Sequence, residues 1–148
     1  MKYLTPRYAR AFLGLVRAGE TLDRALDAEL SARHSLTLRA FEVLLFLAVF
    51  SARGSMRMSD LIAQAPLSQS RVSRLVAELE ARGLVERRGV ADDARAWEVT
   101  ITPLGLKTFR AAQDTHLDQL DRRLFSRLSS AEIDQLGSIT AKILDADG

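Results

Sequence analysis

The sequence predicts a mostly α-helical chain with one small β-hairpin, and three observations carry that expectation. In the middle of the chain Val72, Leu75, Val76 and Leu79 fall at i, i+3, i+4 and i+7, the spacing that lines one face of a helix with apolar side chains. Beyond them, Trp97 to Ile101 alternates apolar and polar residues as a half-buried strand does, and Leu84 to Arg88 supplies a strand for it to pair with. At both ends of the chain, apolar residues recur at three- and four-residue steps over stretches longer than one small domain can cover.

In chain order, Tyr8, Phe12, Leu15, Gly19, Leu22, Leu26 and Leu30 predict one long amphipathic helix ending near Arg33. Leu36-Thr37 restarts the chain. Phe41, Leu44, Leu45 and Ala48 then line a second, more buried helix that ends at Ser51 to Ser55. Met58 to Ala65 reads as a short helix packing through Leu61 and Ile62. Pro66 and Leu67 lead into Ser68, whose hydroxyl can cap the next helix, and that helix closes at Arg82-Gly83 with glycine as the stop. Two short helices joined by a tight turn make a helix-turn-helix, whose second helix enters the major groove of DNA. The hairpin turns through Gly89 to Ala96. Helix, helix and hairpin together spell a winged helix. Thr102-Pro103 starts another helix, threonine as N-cap and proline where its missing N–H costs nothing, and Leu106, Phe109, Leu117, Leu120 and Leu124 continue one apolar stripe along it. Ser129-Ser130-Ala131-Glu132 is a capping box, so a last helix starts there and is expected to bury Ile133, Leu136, Ile139 and Ile143.

The 148 residues suit one domain, 1–148, with the winged helix at 37–102 between long flanking helices at 1–34 and 103–148. An isologous homodimer through those flanks would bury their surplus apolar surface. Composition narrows the function. At 47% hydrophobic and 27% charged the chain is globular. It contains no cysteine, which excludes disulfides, thiolate metal sites, thiol catalysis and cysteine redox sensing. The net charge is only +2 with a pI near 9.4, so any basic surface is local, and arginine, the residue that forks onto phosphates and guanines, supplies almost all of it. Arg7, Arg10 and Arg17 break up any signal-peptide core, and the longest apolar run, Val43 to Phe50, is well short of the ~20 residues a bilayer requires. The expected location is the cytoplasm.

The face of the central helix opposite its apolar row carries Ser70, Arg71, Ser73, Arg74 and Ala77, short side chains and two guanidinium forks that can lie against a flat polar partner. With Ser68 and Gln69 at the helix start and Arg88 on the hairpin, these residues are the candidate contacts to double-stranded DNA. A merely solvated face is the competing reading, and the order of elements around it favours DNA. Arg95 stands beside Asp92 and Asp93 in the hairpin turn, where a local surface ion pair is the plainer alternative. Trp97 is expected in the core beneath the hairpin. His34 and His116, the only histidines, are far apart in sequence and read as helix-end or surface residues. Neither a metal nor a cofactor is expected.

A resemblance runs through the same residues. Leu79-Glu80-Ala81-Arg82-Gly83-Leu84-Val85-Glu86-Arg87-Arg88, then Asp93-Ala94-Arg95-Ala96, then Val99-Thr100-Ile101-Thr102-Pro103-Leu104-Gly105 resemble the long signature of the multiple antibiotic resistance regulator (MarR) family of bacterial transcription factors, in order through helix, wing and the start of the next helix. The outer helices match only in layout. The resemblance implies a homodimeric regulator of a pseudo-palindromic operator, a repressor relieved by a small-molecule effector. It also implies that Asp93, the acidic residue of a D-x-R wing motif, orients Arg95 into the minor groove, whose narrow form attracts arginine. The middle residue of that motif, often basic in the family, is Ala94 here, which weakens the expected wing contact. Family effectors are often anionic aromatic molecules held between the dimerisation helices and the winged domain; Arg10, Arg17, His34 and Arg39 are the candidate ligand contacts there, against plain surface charge. A winged helix can also serve as a protein-interaction module, which would put an apolar patch on the recognition helix, and a DNA binder can be constitutive. An enzyme is not expected: there is no glycine-rich phosphate loop, no nucleophile with a nearby histidine, and Asp92-Asp93 lie outside any recognisable cleft.

Overall fold

The computed structural model describes residues 2–3 and 5–145; Met1, Leu4 and residues 146–148, the outermost parts of the expected dimerisation segments, lie outside the described residues. Helix α1 (Pro6–His34) starts with proline at its first position and, at 1.5 Å per residue, is about 44 Å long. It stops where Ser35 turns into the left-handed region (φ 52°) and the chain doubles back. Helix α2 (Leu38–Val49) is capped twice: the Thr37 hydroxyl accepts from the Ala40 N–H, and the Asp27 carboxylate of α1 accepts from the Leu38 N–H at 2.8 Å. The second bond fixes α2 across the lower half of α1.

Strand β1 (Ser55–Arg57), helix α3 (Met58–Gln64), helix α4 (Gln69–Ala81), strand β2 (Val85–Val90) and strand β3 (Asp93–Ile101) form the winged region. The capping by Ser68 is present, its hydroxyl accepting from the Arg71 N–H, and Gly83 (φ 72°) ends α4 in the conformation that glycine adopts without strain. Helix α5 (Pro103–Arg123) begins at Thr102, whose hydroxyl accepts from the Gly105 N–H and donates to the Gly83 carbonyl at 2.6 Å. After a 3-10 turn at Phe125–Arg127, helix α6 (Ser130–Asp145) opens on the expected capping box, with Ser129 and Glu132 exchanging bonds of 2.8 and 3.2 Å.

The core lies under α4, where Leu30, Phe41, Leu44, Leu47, Leu61, Val72, Val76, Leu79, Val85 and Val99 are all at most 1% exposed. Phe41 stacks on Phe109 at 5.5 Å and joins α2 to α5.

Four expectations are corrected. The sheet has three strands in the order β1-β3-β2, because Ser55 to Arg57 pairs with Thr100 to Glu98. That segment is too short, at three residues, to show an alternation in the sequence. The expected turn from Gly89 to Ala96 is mostly strand: pairing continues to Val90↔Asp93 past an irregularity at Gly89/Val90, leaving Ala91-Asp92 as the turn. Backbone ladder bonds, blind to side-chain polarity, extend the wing through residues that read as loop. Ile133, Leu136, Ile139 and Ile143 are not buried within the chain; α6 has no buried residue, and Ile139 is 54% exposed. The stripe on α5 does lie along one long helix, with Phe109 buried and Leu117 54% exposed. The remaining correction concerns Trp97 and belongs with the site.

Candidate nucleic-acid interface

Burial of Val72, Val76 and Leu79 fixes the rotation of α4 and turns Gln69, Ser70, Arg71, Arg74 and Ala77 outward, with Ser73 half-buried. Ser68 stays at the exposed start of the helix, its hydroxyl 3.3 Å from that of Ser70. Among the described residues, neither Arg71 nor Arg74 forms an ion pair, so both guanidinium groups keep their donors for a partner. An apolar patch on this helix, which a protein-interaction module would present, is absent from the outward face.

The wing arginines differ. Arg87 is held by Glu80 at the end of α4: the carboxylate accepts from the Arg87 backbone N–H at 3.0 Å and from Nε and Nη2 at 3.2 and 3.0 Å. These bonds hold the Glu80 carboxyl below its usual range. Arg88 is exposed and pairs with Glu86 at 3.2 Å, a contact loose enough in water to be exchanged. Arg95 lies on β3 beyond the turn, and the Asp93 carboxylate accepts its backbone N–H at 3.0 Å, leaving its guanidinium unpaired among the described residues. The surface ion pair considered for Arg95 is therefore not formed. Asp93 instead braces the backbone at the point where Arg95 leaves the wing.

Trp97 corrects the fourth expectation: it is half exposed, not core. The alternation along β3 puts Trp97 and Val99 on one face, but only Val99 reaches the core, and the wing carries Trp97 beyond it. The Arg87 guanidinium covers one side of the ring, 5.8 Å from its centre. The Glu80–Arg87–Trp97 chain, which ties α4 to the wing, is not legible in the sequence because its members come from three elements.

The candidate ligand contacts do not converge. Arg10 is exposed, and Arg17 lines an open cleft of about 910 Å³ between α1, the 3-10 turn and α6. His34, 24 residues and so about 36 Å along α1 from Arg10, is bonded to the Thr115 hydroxyl at 2.7 Å. Arg39 is held by Asp23 at 2.5 Å and by both oxygens of Glu42 at 2.8 Å. It borders a smaller pocket of about 300 Å³ shared with Thr37, Arg71, Arg74 and Glu78. His116 is half-buried with its ring 4.7 Å from that of Phe41, and desolvation lowers its pKa. The described residues contain no group of three or more potential metal ligands.

The fold and this surface define a winged helix-turn-helix protein with long helical flanks. A family model described as the MarR family matches residues 34–96. In shape the chain is similar to Sco3205, a MarR family transcriptional regulator from Streptomyces coelicolor solved in complex with DNA (TM-score 0.93, 27% identity, 97% of this chain and 90% of that one). It is equally similar to AbsC, a MarR family transcriptional regulator from the same organism (TM-score 0.92, 26% identity, 99% and 97% covered). Over 90 residues it is 34% identical to the transcriptional repressor MprA of Escherichia coli (strain K12), a match covering 61% of this chain and 51% of that protein. The chain thus spans about half the length of the curated relatives it matches. The family model, the curated repressors and the solved regulators agree that the chain is similar to MarR family regulators, most directly over its winged-helix segment.

Proposed function

We propose that this chain is a cytoplasmic, homodimeric transcription regulator, without enzymatic activity, that binds a pseudo-palindromic DNA operator and acts as a repressor relieved by a small-molecule ligand. The observation that carries the DNA reading is the outward face of α4, with Arg71 and Arg74 unpaired, beside a wing that presents Arg95 unpaired. Arginine pairs bidentately with guanine in the major groove and is drawn into narrow minor grooves, so the two elements suit two different readouts. Ser68, Gln69, Ser70 and Ser73 add short polar contacts at the helix start, and Arg88 a phosphate contact. Likeness to a regulator solved with DNA supports the same assignment.

The homodimer reading rests on the exposed apolar rows. Phe12 (64% exposed), Leu13, Leu15 and Val16 of α1 face solvent in the single chain, as do Leu136, Ile139 and Ile143 of α6. They border or continue the cleft lined by Leu15, Leu22, Phe125 and Ile133. No helix of the described residues is long and apolar enough to cross a membrane, so a second copy is the fitting cover. For the ligand, the pocket beside Arg39 is of a size for a small carboxylate, and its occupant would meet two arginines assigned to DNA.

Selection of bound fragments from randomised duplex DNA tests the reading. The expected product is an inverted repeat with half-site centres ~10 bp apart or a multiple of that spacing. Recovery of no enriched sequence would overturn it. Operator titrations with small aromatic and aliphatic carboxylates then test relief, and a ligand that releases DNA must lose affinity by the same factor when operator is bound.

A further inference from the structure

We propose that Trp97 is a DNA-backbone contact, the point at which the wing crosses the sugar-phosphate strand between the groove read by α4 and the groove entered by Arg95. The inference rests on the DNA-binding reading above and adds to it a residue and a contact class.

Three observations lead there. Trp97 shares a strand face with Val99 and lies two residues along β3 from Arg95, at most about 7 Å of extended chain. From the core outward the order along the strand is Val99, Trp97, Arg95. A protein whose helix lies in the major groove and whose wing tip reaches the adjacent minor groove must pass over the backbone that divides them. Trp97 occupies the intervening stretch.

The second observation is that one side of the indole is held and the other is free. Arg87, itself fixed by three hydrogen bonds to Glu80, covers one side of the ring. The cross-strand neighbour is Gly89, where an added Cβ would meet nothing within 4 Å. The ring is half exposed, with the Arg87 guanidinium on one side and open space at its cross-strand neighbour.

The third is the chemistry of the surroundings. Arg95, unpaired among the described residues, and the exposed Arg88 supply guanidinium groups for a phosphate chain, within a hairpin whose Glu86, Asp92, Asp93 and Glu98 otherwise balance its arginines. The indole supplies what these arginines do not, a flat apolar face for a deoxyribose and a single N–H donor for a phosphate oxygen. Such a contact positions the protein on the duplex and carries no sequence information.

Trp97 is the chain's only tryptophan, so emission excited at the red edge of the absorption band, where Tyr3 and Tyr8 do not absorb, reports this position alone. The probe is a random-sequence duplex at low salt, where backbone contacts suffice for binding. Anisotropy of a labelled duplex measures affinity, and acrylamide quenching of the 148-residue chain, with and without unlabelled duplex, measures the exposure of Trp97. The expected result is that duplex shields Trp97 from acrylamide. Trp97→Ala should weaken selected and random duplexes alike by about tenfold, leaving the selected consensus unchanged. Trp97→Phe keeps a ring beneath Arg87 but loses the N–H, so it should retain the wild-type melting temperature and still bind more weakly. Quenching that duplex leaves unchanged, or full rescue of affinity by Trp97→Phe, would reduce Trp97 to a brace for Arg87 and overturn the inference. If anisotropy showed no duplex binding by the wild type, the DNA-binding reading would fall together with it.

Discussion

Replacing Gly105 by alanine should destabilise this protein, although the same change in most helices does the opposite. Alanine inside a helix is favoured over glycine by roughly 0.5–1 kcal/mol. Gly105, however, is the buried third residue of α5, and the helix passes there directly over the end of α4 and the start of β2. A Cβ at this position would overlap the Leu84 carbonyl oxygen and stand 2.9 Å from both the Leu84 carbonyl carbon and Ile101 Cγ1. Two of these three atoms are backbone and have no rotamer to turn away with. Relief requires the first turn of α5 to lift off Leu84. That movement strains the bond from the Thr102 N–H to the Leu84 carbonyl (3.0 Å) and the bond from the Thr102 hydroxyl to the Gly83 carbonyl (2.6 Å). Overpacking costs about 1–3 kcal/mol and each weakened hydrogen bond about 1, so after subtracting the alanine preference the net loss is about 2–4 kcal/mol. In a chain of this size that corresponds to a fall in Tm of roughly 5–15 °C. Urea and thermal unfolding at one fixed protein concentration measure it, since a dimer's stability depends on concentration. Gly14→Ala is the control: the position is exposed on α1 with nothing within 4 Å of an added Cβ, and a gain of up to ~1 kcal/mol is expected. A Gly105→Ala protein within ~0.5 kcal/mol of the parent would refute the argument that α5 is seated backbone to backbone on Leu84.

Arg71→Ala should lower affinity for the selected operator by ~1–3 kcal/mol and relax the consensus at one position, whereas Arg95→Ala should weaken binding without altering the major-groove consensus; unchanged affinity for both at physiological salt would refute the assigned face. Ile139→Asp, on the exposed row of α6, should convert a dimer to a monomer by light scattering at micromolar concentration, and a wild type that is already a folded monomer there would sink the dimer reading. Burial holds His116 below the ordinary histidine pKa, so protonation favours the unfolded chain: its contribution to stability is complete above pH 6.5 and is lost as pH falls below that value. His116→Phe should therefore flatten the fall in urea midpoint between pH 7.5 and 5.5, and an unaltered slope would show that the burial of His116 is not what sets it.

What the sequence determined by itself was local chemistry. The capping hydroxyls of Ser68, Thr102 and Ser129, the stop at Gly83 and the spacing of Val72, Val76 and Leu79 each depend on residues within one or two turns of one another, and each is found where the spacing put it. The outward face of α4 follows at once, because burying one side of a helix exposes the other. Residues drawn together from distant parts of the chain were not legible. Strand β1 exists only because Met56 pairs with Val99, and Arg87 is taken up by Glu80 and Trp97, neither of which lies near it on its own strand. Apolar character alone placed Trp97 in the core, and it could not show that the wing outruns that core by several residues. Periodicity marked the rows on α1 and α6 as apolar in the same way, but whether such a row is buried depends on what lies across from it. Tertiary structure decided that nothing among the described residues covers Ile139 or Ile143, since α6 contributes no buried residue.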